Sequence, residues 1–173
     1  MSLHASNPGH SMKPLHAHSE HPWTLPVRAV SIALLCALGV SPLIAEDSAS
    51  IQLRSAVDDA PIDMTALRAT ASTAAMRTFL ASGRNEYVGN AEAALEGRAR
   101  YEQWCQICHL ADASGRMGPS LVDDVHNYAR SPTDLGLFEI IYAGAAGAMQ
   151  PFDERLTGDE ILKVIAYVRS LAR

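Results

Sequence analysis

Cys105, Cys108 and His109 stand in the run Cys-Gln-Ile-Cys-His. Two thiols one helical turn apart can each form a thioether to a haem vinyl group, and a histidine directly after them can then present its imidazole to the iron. C-x-x-C-H is the attachment signature of c-type haem, with the histidine as proximal ligand. Three other chemistries fit less well. Zinc asks for about four N/S ligands, and downstream of His109 the chain offers only His126 and no further cysteine. A redox dithiol expects a βαβ setting, whereas the flanks here are alanine-rich and helical in pattern. A plain Cys105–Cys108 disulfide leaves His109 without a purpose.

A second axial ligand decides between electron transfer and an open iron site. The candidates after the motif are Met117, His126 and Met149. Met117 belongs to the loop that must pass on the His109 side of the ring. In the same loop the carbonyl of Pro119 is placed to accept the imidazole Nδ1–H, which would fix the ring and raise its basicity. Met149 comes 40 residues after His109, in a glycine- and alanine-rich loop closed by Pro151. It is the expected ligand, giving a His/Met pair of raised potential. His126 is the alternative, giving a bis-His site of lower potential.

The elements that would position these residues are helical. Thr73 to Ser82 reads as a short helix stopped by Gly83, with Met76, Phe79 and Leu80 on one face. Asn90 caps a helix running to about Trp104, which delivers Cys105. Residues 110–121 form a loop. Ser131 is expected to cap the next helix with Pro132 at its first position; it carries Leu135, Phe138, Ile141 and Tyr142 and ends near Gly144. Thr157-Gly158-Asp159-Glu160 is a capping-box start, followed by the stripe Ile161, Val164, Ile165, Val168 and Leu171. Gly97 should let the haem helix approach the last helix closely, with Tyr101 and Tyr167 at the contact. Residues 46–70 read as an extended arm with a short strand around Ile51 to Leu53. The expected fold is all-α, helices wrapped around one covalent haem. A domain of about 85 residues is small for a self-sufficient core, and the flat apolar face of the haem would supply the missing part.

The division expected is 1–45, a signal peptide with an overlong n-region; 46–88, an N-terminal extension with a short helix; and 89–173, the haem domain. Arg28 precedes an apolar run from Ala29 to Val40, then Ser41-Pro42-Leu43-Ile44-Ala45 and the acidic pair Glu46-Asp47. That is the pattern of a secretory leader cleaved after Ala45, too short to span a bilayer. Cys36 and five histidines would leave with it. From Glu46 onward 18 acidic and 12 basic side chains leave a net charge of −6. Such a chain does not seek nucleic acid or anionic lipid, and stable membrane insertion is not expected. An acidic carrier would instead dock on a basic partner in a salt-sensitive way.

With the motif, Gly118-Pro119, the late methionine and the closing helix in view, the chain resembles class I cytochromes c. More narrowly it is similar to the cytochrome cL family over roughly residues 74–172. Phe79-Leu80, Gly83, Asn85 and Tyr87 carry that similarity before the motif. Beyond it come Asp123-Asp124, Tyr128, Thr133-Asp134, Gly136-Leu137-Phe138-Glu139, Gly144, Gly147, Met149 and Ile165 to Ser170. Val125-His126 and Gln150 depart from the family pattern. The resemblance implies a periplasmic one-electron carrier rather than an enzyme. It would accept electrons from a PQQ-dependent methanol or alcohol dehydrogenase and pass them to a downstream cytochrome c or oxidase. Some members also carry calcium near the haem, and no residues here locate it; Asp123 and Asp124 read as a solvated turn. Two alternatives stand beside this reading. One is a generalist carrier between a quinol-oxidising complex and a terminal oxidase, which the single lysine after the leader, Lys163, argues against. The other is a haem enzyme with an open axial position.

Overall fold

The computed structural model describes residues 50–172. The expected leader, 1–45, lies outside the described residues. Six helices follow in order: α1 Thr65–Ala69, α2 Ala74–Ser82, α3 Ala91–Trp104, α4 Gln106–His109, α5 Asp134–Ala143 and α6 Gly158–Leu171. Among the described residues there is no strand, and one isolated bridge joins Arg54 to Pro61. The all-α expectation holds. No helix among these residues is long and apolar enough to cross a membrane.

Local chemistry sets most helix ends. Thr73 and Asn90 accept the amides of Met76 and Ala93, satisfying donors that the first turn leaves without partners. Gly83 ends α2 in the left-handed conformation (φ +73°) that glycine adopts without strain. Thr157 and Glu160 form the anticipated capping box at α6. The start of α5 differs from expectation. Thr133, not Ser131, is the cap: its hydroxyl accepts the Gly136 amide at 2.9 Å and donates to Arg130 O at 2.9 Å. Those bonds and Thr133 N–H to Arg130 O lock residues 130–133 as a turn, so the helix begins two residues later.

Among the described residues α3 and α6 make the most extensive helix–helix contact. A Cβ at Gly97 would lie 1.9 Å from the Lys163 carbonyl oxygen, so no other residue permits this backbone approach. Tyr101 and Tyr167 meet edge-on with ring centroids 5.3 Å apart. One face of α6 joins a cluster containing Leu53, Phe79, Phe138, Ile161, Leu162 and Ile165. Another carries Val164 and Val168 to Tyr101 and Ala113, with Cys105 at the edge.

The segment before α3 is not an extended arm. Leu53 is fully buried, and Met64 and Leu67 are nearly so; all three belong to the larger cluster. The expected strand at 51–53 is absent because the chain turns at Asp58-Asp59 (φ of Asp59 +58°) and comes straight back, leaving one bridge. Ile51 N–H bonds Leu80 O at 3.1 Å instead. Polar links fasten this segment to α6: Thr73 and Tyr87 hydroxyls donate to Asp159 at 2.6 and 2.8 Å, and the Asn85 side-chain amide donates to Leu162 O at 2.8 Å. The described residues, 50–172, fall into one compact unit.

Candidate functional site

α3 ends at Trp104, and a single kinked residue, Cys105, joins it to α4. The amides of Cys108 and His109 both donate to Cys105 O, at 3.1 and 3.0 Å, so the three motif residues are held in one turn. Both thiols are half-buried and neither is in a disulfide. Burial, with Cys108 beside it, pushes the Cys105 thiol up to about 12. A thiol that resists ionisation is a poor redox nucleophile, which weighs against the dithiol reading.

His109 is buried at 7% exposure. Its Nδ1 lies 2.8 Å from the carbonyl oxygen of Pro119. A carbonyl can only accept, so Nδ1 carries the proton and Nε2 keeps its lone pair for a metal. The loop that brings Pro119 there is tied to the motif by Gly118 N–H to Cys108 O and Gly115 N–H to His109 O, both 3.0 Å. Gly118 is a necessity of this packing: its Cβ would lie 2.5 Å from His109 Cε1. Below the turn, Tyr101 donates its hydroxyl to Leu110 O at 2.7 Å, and burial raises the phenol pKa. Met117 directly precedes Gly118, on the imidazole side, and is exposed. His126 is exposed in the following turn, where Val125 N–H bonds Asp123 Oδ1 at 2.9 Å.

Met149 is half-buried in the loop after α5. Ala145 N–H donates to Met149 O at 3.0 Å, and Phe152 N–H returns to Ile141 O and Tyr142 O. Gly144 makes the closure feasible, since a Cβ there would meet Met149 O at 2.8 Å. The loop reaches the motif through Phe152, whose ring meets that of Trp104, the residue before Cys105, at 6.3 Å between centroids. Sequence reasoning assigned no role to two neighbours of this loop. Tyr128 accepts the Ala146 amide at 2.9 Å, and Arg130 pairs with the buried Glu139 at 2.7 Å. A signal for the second existed: Glu139 is the one charge inside the apolar run Leu137-Phe138-Glu139-Ile140-Ile141.

Over residues 92–168 the chain matches the family model described as cytochrome c oxidase, cbb3-type, subunit III. Cytochrome c-L of Methylorubrum extorquens is 39% identical over 99 residues, covering 57% of this chain and 50% of that protein. The crystal structure of cytochrome cL from the marine methylotrophic bacterium Methylophaga aminisulfidivorans superposes with a TM-score of 0.68. It is 37% identical, over 70% of this chain and 81% of that one. The chain belongs to the cytochrome cL family. Cytochrome cL from Hyphomicrobium denitrificans agrees, with a TM-score of 0.67 and 32% identity over 72% and 75% of the two chains. The present chain spans half the length of the curated cytochrome cL relative it matches.

Membership brings the class I cytochrome c fold. Cytochromes c carry covalently bound haem c and transfer electrons; they are not enzymes. The residues present fit that group: two half-buried thiols outside any disulfide, one turn apart, and an imidazole whose tautomer leaves Nε2 basic. Among the described residues no cluster of three His, Cys, Asp or Glu side chains is arranged to hold a metal ion.

Proposed function

We propose that this chain is an exported, periplasmic one-electron carrier, reduced by a PQQ-dependent methanol or alcohol dehydrogenase and oxidised by a downstream cytochrome c or oxidase. Membership of the cytochrome cL family carries this reading, and the net charge of −6 after residue 45 suits a basic docking patch on the donor. Residues 1–45 act as the leader and 89–173 as the haem domain, preceded by the extension 46–88.

In this proposal Cys105 and Cys108 would hold the haem by thioethers, and His109 and Met149 would ligate its iron. The bound haem supplies an iron that gains and loses one electron. The chain's own residues keep the geometry constant while it does so. Pro119 O holds the Nδ1 proton and the ring angle of His109. Gly118 leaves the room that the ring occupies, since a Cβ there would lie 2.5 Å from His109 Cε1. Bonds at both ends of the Met149 loop limit its excursion, and small excursions mean little reorganisation on transfer. No acid, base or nucleophile is required.

Stopped-flow mixing of the ferric protein with purified PQQ-dependent methanol dehydrogenase, across a salt series, tests the partner. Fast reduction that slows as salt rises is expected. Slow, salt-independent reduction by every quinoprotein dehydrogenase tried defeats the partner assignment, while acid–acetone extraction tests the covalent haem separately.

A further inference from the structure

We propose that Tyr128 is a positioning residue for the Met149 loop, braced by a charge clasp of Arg130, Glu139 and Asp59; this rests on the reading of Met149 as an axial ligand. The loop from Gly144 to Gln150 contains two glycines at positive φ, Gly144 at +79° and Gly147 at +84°, and closes on itself through Ala145 N–H to Met149 O. Its tie to the 121–133 segment is the Ala146 amide, donated to the Tyr128 hydroxyl at 2.9 Å. A hydroxyl on a wandering turn would not position anything, and this turn does not wander. Two residues on, the Arg130 guanidinium donates to Glu139 Oε2 at 2.7 Å, Asp59 Oδ1 at 2.6 Å and Arg54 O at 3.1 Å.

Glu139 is 4% exposed and is further satisfied by the Arg54 amide at 2.7 Å. A buried carboxylate with a bound guanidinium has few alternative arrangements, because breaking the pair strands a charge away from water. The Arg130 backbone is as confined as its side chain: a Cβ at Gly136 would lie 2.0 Å from Arg130 O. The clasp therefore runs from the residue 54–59 turn through Arg130 to α5. It holds Tyr128 at a fixed height over Ala146, three residues before the proposed ligand.

The test is optical titration of the ferric holoprotein with imidazole, which must displace Met149 to bind. Tyr128→Phe removes the hydroxyl and keeps the ring. It should retain the methionine–iron absorption band and bind imidazole about fivefold more tightly, the worth of one net hydrogen bond. Asp59→Asn, at the exposed end of the clasp, should move affinity the same way by less. The Ala146 amide should exchange faster in Tyr128→Phe than in the wild type. Unchanged imidazole affinity in Tyr128→Phe overturns the proposal, even where exchange at Ala146 quickens. Persistence of the methionine–iron band in Met149→Ala overturns the ligand reading instead, and the proposal falls with it.

Discussion

Two regions flank α6, and they are completed by different means. On one side Ile161, Leu162 and Ile165 pack against Leu53, Phe79, Phe138 and their neighbours, a cluster closed by side chains from the whole length of the described chain. On the other, Val164 and Val168 meet Tyr101 and Ala113. That smaller cluster ends at Cys105 and the turn holding His109. The first region is closed mainly by apolar burial, with the bonds of Thr73, Tyr87 and Asn85 to α6 at its edge. The second is organised by polar and backbone constraints around an imidazole. Substitutions should therefore separate stability from haem chemistry according to the side they strike.

The largest effect belongs to the motif side. Replacing both Cys105 and Cys108 with alanine should abolish covalent haem completely, so that acidified acetone extracts all pigment, whereas the wild type keeps its colour in the protein fraction. Next is the apolar side. Phe79 is fully buried, with its ring centroid 4.5 Å from that of Phe138. Phe79→Ala should cost about 3–5 kcal/mol in denaturant unfolding while leaving the optical spectrum of the folded holoprotein unchanged. A spectrum that shifts with Phe79→Ala would erase the separation between the two regions.

Smaller effects sharpen the contrast. Gly97→Ala forces α3 and α6 apart and should cost about 1–3 kcal/mol. Gly118→Ala pushes on the His109 ring instead, so its main signature should be a perturbed haem spectrum in a protein of near-normal denaturation midpoint. The smallest effect is electrostatic. Burial would raise the Asp159 pKa, yet hydrogen bonds from Thr73, Tyr87 and Lys163 outweigh it and hold the carboxyl below its ordinary 3.8. A folded-state pKa below the unfolded one adds stability above the ordinary value, and that stability is lost as pH falls through the folded value. Asp159→Asn should therefore flatten the decline in unfolding free energy below about pH 4, measured by urea titration at several pH values.

The helix starts were legible wherever one side chain decides them. Asn90 and Thr157 each cap their helix from the position the sequence suggests, and Thr73, expected as the first helical residue, is the cap of α2. At α5 two hydroxyls competed, and the winner depended on the Arg130 carbonyl, which no local pattern reveals. The Gly97 crossing and the Tyr101–Tyr167 contact were readable because small and aromatic residues at helical spacing leave few alternatives. Residues 46–70 read as an extended arm because the residues buried there, Leu53, Met64 and Leu67, follow no single period. At the site, the Pro119 carbonyl was expected opposite His109 Nδ1 and lies there. Tyr128 and Ala146 stand 18 residues apart with nothing in either stretch to announce their bond.

The Gly97 crossing has a lopsided consequence for how this chain can vary. α3 touches the carbonyl oxygen of residue 163, an atom common to all twenty amino acids, but it does so through the one position that must have no side chain. A library randomised at both sites should return glycine almost alone at 97, while at 163 the backbone contact sets no residue type and only the ion pairs of Lys163 with Glu96 and Asp159, at 2.8 and 3.1 Å, favour a cation. Half of this contact is written in the genetic code; the other half is written in the backbone.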